Sequence, residues 1–229
     1  AVTPTAPSIP DEADDGGDTS PGTGGTAPRD DGTSPGTGGS GVDVLVNGKV
    51  ENAGIASVDE IGGRQVLTVS IDEDKLRKRL EAEGDGAVIT VPVAGAYDAV
   101  VGKFNGRMVK DMEGRQAILE VRSGNATYTL PAAQIDIDAV SRRFGTDLRL
   151  QDIQVMIEIA APQDAMLRIV DGAADDGGFE VAFPPVEFRV SAEYNGETVE
   201  VTRFDAYVER AIAIPEGIDP NRITTGVVV

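Results

Sequence analysis

Acidic residues beside glycines are the side chains whose type and spacing could bind an ion in this chain. Asp171, Asp175 and Asp176 precede Gly177-Gly178, and carboxylate oxygens on a flexible loop suit calcium. The spacing does not match the EF-hand loop, in which acids alternate and a distal glutamate closes the site. We therefore predict one candidate calcium site at Asp171, Asp175 and Asp176, beside the simpler interpretation of a solvated acidic turn. No other cofactor is expected.

The chain lacks the side chains on which most catalysis at neutral pH depends. It has no histidine, no cysteine and no tryptophan. These absences exclude Ser-His-Asp triads, Cys-His dyads and zinc sites built on thiolate or imidazole. A pair of carboxylates could still hydrolyse a glycan, but such sites are usually lined with aromatic rings, and this chain has only four Tyr and six Phe. We expect a protein that is not an enzyme.

The net charge argues against two classes of partner. The chain carries −19, from 39 acids and 20 bases. Residues 1–41 contribute seven acids and one arginine, which leaves −13 for residues 42–229. A surface this acidic is repelled by nucleic acid and by anionic membranes, and no apolar run is long enough to span a bilayer. We therefore expect neither nucleic-acid binding nor membrane insertion.

The first 41 residues have the composition of a linker. They are rich in Gly, Pro, Asp and Thr, and one heptad occurs twice, at Thr19–Gly25 and Thr33–Gly39. Proline and glycine oppose regular hydrogen bonding, and the acids repel one another. Residues 1–41 are therefore predicted to be a disordered, flexible linker, either a dedicated spacer or a terminus without a role.

Strand and helix signals begin at Val42 and follow one another closely. Asn47-Gly48 and Gly62-Gly63 are hairpin turn sequences. Asp72 is a good N-cap for a helix that ends before Gly84, with acids in its first turn. Asn105-Gly106 is predicted as a third turn, followed by one or two helical turns. Further strands are predicted at residues 88–93, 97–104, 117–121 and 126–130.

The second half of the chain shows the same kinds of signal. Asp136 or Asp138 is predicted to cap a helix that ends at Gly145, and a second helix is predicted at residues 162–170, with the candidate calcium loop after it. Within the strand-like runs, Glu187, Glu209 and Arg210 are expected to form interstrand ion pairs. The predicted strands are residues 153–160, 186–192 and 197–214, and the last run is long enough to bend or to form two strands.

A weak internal echo suggests the domain organisation. Residues 68–93 and 128–160 both read as a strand, an Asp-capped helix, a glycine and a strand. The predicted fold class is therefore strand-dominated α+β, with two similar small lobes of antiparallel or mixed sheet and short helices after the disordered linker. The lobes are predicted at residues 42–131 and 132–229.

Five segments spread along residues 42–229 are informative as a set: Val44–Lys49, Ala117–Asp136, Pro185–Phe188, Tyr207–Pro215 and Ile223–Val227. Together they resemble a region of Gram-positive cell-surface proteins that lies upstream of their S-layer homology repeats, and the likeness covers nearly all of residues 42–229. It implies an exported module at the cell wall or S-layer of a Gram-positive bacterium. The repeats that bind cell-wall glycan are absent from this chain, so no glycan-binding or catalytic residue is implied.

Two functions are expected from these observations. The first is a non-catalytic structural module that acts as a spacer or a self-associating unit, with other copies of itself or other cell-envelope proteins as partners. The second is an adhesion module that binds carbohydrate or protein. The second function predicts an exposed aromatic platform, for which the candidates are Tyr97, Tyr128, Tyr194 and Tyr207.

Overall fold

The computed structural model describes residues 40–145, 148–223 and 226. In this part of the chain eleven strands form one mixed sheet, accompanied by four short α-helices. The predicted strand-dominated α+β class is confirmed. The strands are β1 Ser40–Val46, β2 Lys49–Ile61, β3 Arg64–Ile71, β4 Val88–Pro92, β5 Ala99–Asn105, β6 Ile118–Arg122, β7 Ala126–Pro131, β8 Gln154–Ala160, β9 Glu187–Tyr194, β10 Glu197–Glu200 and β11 Glu209–Ile212. The helices are α1 Glu73–Glu83, α2 Gly106–Gly114, α3 Ile137–Phe144 and α4 Asp164–Gly177, and 3-10 turns lie at Ala132–Gln134, Leu150–Asp152 and Pro220–Arg222.

The sheet curls around its own core. Its strand order is β10-β9-β8-β5-β3-β2-β1-β4-β6-β7-β11. Strands that are far apart in that order nevertheless face each other across the core. The rings of Tyr128 on β7 and Phe188 on β9, for example, lie 5.3 Å apart. A Cβ built on Gly102 of β5 would similarly lie 3.0 Å from Cγ2 of Val121 on β6. The buried side chains inside this curl are mainly Val, Ile, Leu and Ala, as the shortage of aromatics requires.

Three helices cross from one side of the β1-β2 hairpin to the other. In strand order, α1 joins β3 to β4, α2 joins β5 to β6 and α3 joins β7 to β8, and each pair lies on opposite sides of that hairpin. These crossovers create the parallel pairs β3-β5 and β4-β6, while the other described strand pairs are antiparallel.

The structure does not confirm two separate lobes. Strand β8 pairs with β5, and β11 pairs with β7, so strands from residues 132–229 extend both ends of the sheet formed by residues 42–131. The described residues, from 40 onward, belong to one compact unit. The sequence echo instead reflects the repeated use of one crossover design, in which a strand leads to an Asp-capped helix and a glycine before the next strand.

Local turn and cap predictions agree closely with the structure. Asn47 and Gly48 have φ values of 51° and 75°, which is the geometry of a tight hairpin turn. The Asp72 carboxylate accepts a hydrogen bond from the backbone N–H of Lys75 at 3.0 Å, and Gly84 ends the helix. Asn105 differs from its prediction, because it caps α2 by accepting from Met108 N–H at 2.8 Å instead of forming a hairpin turn.

Helix α4 is longer than predicted. It begins at Asp164 and continues to Gly177, so the predicted loop at residues 175–178 is largely its last turn. Acids in a last turn oppose the helix dipole. Two alanines of high helix propensity, Ala173 and Ala174, sustain the helix, and Gly178 at φ 64° forms its left-handed C-cap.

The last predicted run, residues 197–214, forms two strands at opposite ends of the sheet. Strand β10 pairs with β9, and β11 pairs with β7. The successive pairings from β1 through β4, β6 and β7 to β11 make β1 and β11 run in opposite directions. The first residue of β1 and the last residue of β11 therefore lie at the same end of the sheet.

Candidate functional site

The predicted calcium ligands lie on the exposed C-terminal part of α4. Asp171 and Asp175 are one helical turn apart and line a shallow open pocket with Phe179, whereas Asp176 is the next residue around the helix. In the part of the chain that the structure describes, no three acidic groups are placed to hold a metal ion together. Calcium binding at this helix stays a prediction.

The four tyrosines do not form an exposed platform. Tyr128 is only 1% exposed, while Tyr97 and Tyr194 pack partly against the core. The ring of Tyr194 lies 6.0 Å from that of Phe144. Tyr207 is 80% exposed, so one ring out of the four candidates is fully available to a ligand.

The interstrand ion pairs centre on a residue that sequence reasoning missed. Arg189 on β9 contacts the carboxylates of Glu187 at 3.1 Å, Glu158 at 3.3 Å and Glu200 at 3.4 Å. These contacts join β8, β9 and β10 on the outer face of the sheet. Glu187 thus forms an ion pair, although its partner was not among the predicted residues.

Arg210 forms no ion pair with the residues that the structure describes, in contrast to the prediction. Its guanidinium lies 5.3 Å from the centroid of the Tyr128 ring, a cation–π contact. Burial raises the pKa of the Tyr128 phenol, and the nearby charge of Arg210 and a hydrogen bond to it partly oppose that rise. Arg210 therefore anchors β11 to the core through an aromatic ring.

Charged side chains fasten the β1-β2 turn to α1. Glu83 is hydrogen-bonded by Lys49 at 2.9 Å and by the Asn47 side-chain amide at 3.2 Å, and Arg79 lies 3.2 Å away. The hydrogen bonds from Lys49 and Asn47 lower the pKa of Glu83. This cluster holds the first hairpin against α1 and pairs the charge of Glu83 with those of Lys49 and Arg79.

A groove between α1 and α2 is lined by charges of both signs. Arg107 lies 3.6 Å from Glu73, and Lys110 lies 3.3 Å from Glu113. Hydrogen bonds to Asp138 and Glu113 raise the pKa of Lys110. Since these bases already face carboxylates, the groove is a network of ion pairs that tethers the helices.

One end of the sheet is partly covered by a side chain. Val201 N–H donates to Val190 C=O at 2.9 Å, so the odd-numbered residues of β10 face β9, and Thr198 and Glu200 point their backbone groups outward. Arg143 on α3 donates from Nη1 to the outward C=O of Glu200 at 3.0 Å. A charged side chain across an edge strand obstructs the addition of another strand.

The tip of β2 carries both acids and exposed apolar side chains. Residues 57–61 pair with β3 on one side, while the described pairing with β1 ends at Ala56. Asp59 and Glu60 occupy this tip beside Val58 and Ile61, which are 53% and 62% exposed. Charged residues on an exposed edge oppose pairing with another strand, and this protein is already strongly acidic.

Strand β11 forms the other end of the sheet, and its edge differs from the first two. Ala213 N–H donates to Asn125 C=O at 2.7 Å, so Glu209, Ala211 and Ala213 face β7. The outward backbone groups belong to Arg210, Ile212 and Ile214. Among the described residues, none of these outward groups has a hydrogen-bond partner.

Exposed apolar side chains surround the β11 edge. Ile214 is 43% exposed, Ile212 is half-buried, and the exposed Tyr207 lies just before the strand. An exposed, apolar edge strand is a template for pairing with another chain. We define the backbone and side chains of residues 210–214 as the β11 edge, and this is the candidate functional site.

Comparison with known proteins adds no further assignment. No protein-family model, no curated protein and no solved structure matches the chain. Within residues 40–223, as far as they are described, none of the helices combines the length and the apolar character that crossing a membrane requires.

Proposed function

We propose that this protein is a non-catalytic structural module of an exported bacterial cell-surface protein, and that it self-associates through the β11 edge. The resemblance to the region upstream of S-layer homology repeats supports the location at the Gram-positive cell wall or S-layer. One observation carries the self-association: the outward N–H and C=O groups of Arg210, Ile212 and Ile214 have no partner among the described residues.

The contrast between the edges supports this proposal. Arg143 donates to the outward C=O of Glu200 at the edge of β10, and Asp59 and Glu60 lie at the tip of β2 beside the exposed Val58 and Ile61. Natural sheets use such charges to prevent unwanted strand pairing. In the β11 edge the one charged residue, Arg210, lies against the Tyr128 ring, and the other four residues are isoleucines and alanines, which favours its use as a contact surface.

Charge sets the conditions under which association should occur. Two chains of net charge −19 repel one another. Raising the salt concentration from about 0.1 M to about 1 M shortens the Debye length from about 10 Å to about 3 Å. Repulsion between chains is then screened, while backbone hydrogen bonds and apolar contacts at the edge persist.

Sedimentation velocity of the 229-residue chain at low and high salt tests the proposal. We expect a monomer at low salt and a concentration-dependent larger species at high salt. A chain that stays monomeric under all conditions would contradict self-association and leave the adhesion function as the better candidate. Calcium is added in a parallel series, because the acids of α4 were predicted to bind it.

A further inference from the structure

We propose that the β11 edge pairs with the β11 edge of a second copy, antiparallel across a twofold axis at Ile212. This inference rests on the proposed function, because it names the partner and the register of the edge on which self-association depends. A twofold interface requires a surface that is complementary to itself. The backbone of β11 meets this requirement.

The direction of the backbone groups restricts the possible registers. In an antiparallel ladder, the residues that exchange hydrogen bonds must both point toward the partner strand. Within β11, Arg210 and Ile212 point outward, and the same alternation, continued by the bond from Ala213 to Asn125, makes Ile214 the next outward residue after the strand. A twofold axis at Ile212 pairs Ile212 with its own copy and Arg210 with Ile214 of the second copy, so outward residues meet only outward residues.

This register forms about six hydrogen bonds, since each hydrogen-bonded residue pair of an antiparallel ladder exchanges two. An axis between Ala211 and Ile212 would instead pair outward residues with residues that face β7, and the bonds could not form. An axis at Ala211 would also bring outward residues together, as Arg210 with Ile212, but it would form about four hydrogen bonds among these residues, whereas the axis at Ile212 uses all three outward residues.

The side chains are compatible with the same register. Arg210 lies opposite Ile214, Ala211 lies opposite Ala213, and Ile212 lies opposite Ile212, so no two like charges are directly opposed. Arg210 keeps its contact with Tyr128 on the inner face.

Proline substitutions test which edge is used. Ile212→Pro removes an outward N–H and leaves the ladder with β7 intact, because the N–H of Ile212 does not face β7. Thr198→Pro removes an outward N–H in the same way on β10 and serves as the matched control. We expect Ile212→Pro to weaken association about tenfold or more at high salt, and Thr198→Pro to leave it unchanged. Equal effects of the two variants would overturn the assignment to β11.

Cysteine cross-linking tests the register without relying on a proline. The chain has no cysteine, so a single introduced thiol can form a disulfide only with another chain. Opposed hydrogen-bonded residues have Cα atoms about 5.5 Å apart, within the range for a disulfide. We expect covalent dimers from Ile212→Cys on mild oxidation at high salt, and none from Thr198→Cys.

The outcomes separate the two proposals. Stronger cross-linking by Ala211→Cys than by Ile212→Cys would overturn the register. Association by sedimentation without cross-linking at either position would overturn pairing through β11 and leave self-association standing. A chain that stays monomeric and does not cross-link would overturn both.

Discussion

Gly106 and Leu150 approach so closely that a side chain at position 106 would collide with the backbone. A Cβ built on Gly106 would lie 2.6 Å from the carbonyl oxygen of Leu150 and 3.2 Å from Cδ1 of Ile137. Gly106 also donates its N–H to Ile153 C=O at 2.9 Å. The start of α2 is therefore locked against the 3-10 turn that leads into β8.

Replacing this glycine should be costly, in contrast to a glycine at the other end of the same helix. Gly106→Ala is expected to lower the free energy of unfolding by about 1–3 kcal/mol, through overpacking. Gly114 has open space around it, so Gly114→Ala should be neutral or raise stability by up to about 1 kcal/mol. Urea unfolding of both variants measures the difference, and equal values would contradict the close contact.

The two aspartate caps should differ in their sensitivity to alanine. Asp72 caps α1 from an extended backbone with φ −75°, so Asp72→Ala should cost about 1 kcal/mol. Asp136 caps α3 with φ 46°, and alanine there loses the cap and also adopts a left-handed backbone at a further cost of about 1 kcal/mol. Asp136→Asn keeps the cap and should remain close to the parent chain. Thermal or urea unfolding checks this order, and a larger loss for Asp72→Ala would contradict it.

Removing Arg143 should open the edge of β10. Arg143 Nη1 donates to the outward C=O of Glu200, and no replacement donor exists in alanine. In a Thr198→Cys background, Arg143→Ala should therefore allow covalent dimers to form on oxidation. Arg142→Ala in the same background is the control, since it removes a neighbouring charge of α3. Dimers in neither variant would show that Arg143 is not what keeps this edge unpaired.

Stability should fall in alkaline solution because of Tyr128. Burial raises the pKa of its phenol above the ordinary value, so the folded state holds the proton more tightly than the unfolded state. This pKa difference contributes to the free energy of unfolding. The contribution is fully present below about pH 10, the pKa of tyrosine in the unfolded state, and it is lost as the pH rises from there through the pKa of Tyr128 in the folded state.

The substitution Tyr128→Phe isolates this effect. It should reduce the loss of unfolding free energy between about pH 8 and about pH 11, measured by urea midpoints at each pH. Tyr207→Phe is the control, because Tyr207 is exposed, and its pH dependence should match that of the parent chain. If the unfolding free energy of Tyr128→Phe fell with pH as steeply as that of the parent chain, the loss of stability at alkaline pH would arise from other groups.

The features that could be predicted from the sequence are those that short-range chemistry determines. Asn47-Gly48 turns the chain and Asp72 caps a helix because each needs only its immediate neighbours. The order of strands in the sheet depends on contacts between distant residues, which no local pattern encodes. For that reason the division of residues 197–214 into two strands is one of two predicted alternatives, whereas the positions of β10 and β11 at opposite ends of one sheet are not predicted.

The candidate site was harder to predict than the fold. The open edge of β11 exists because β7 lies beside it and no further described strand follows. The partly covered edge of β10 depends on Arg143, which is 57 residues away from Glu200. The calcium site on α4 is predicted from the local composition of acids and glycines, but composition does not reveal whether side chains converge in space.

The opposite directions of β1 and β11 determine how this unit is mounted in a polypeptide. The chain enters β1 and leaves β11 at the same end of the sheet, so the strands between them add little to the distance that the polypeptide spans. Within the proposed function, this geometry favours a unit that makes lateral contacts over one that serves as a spacer.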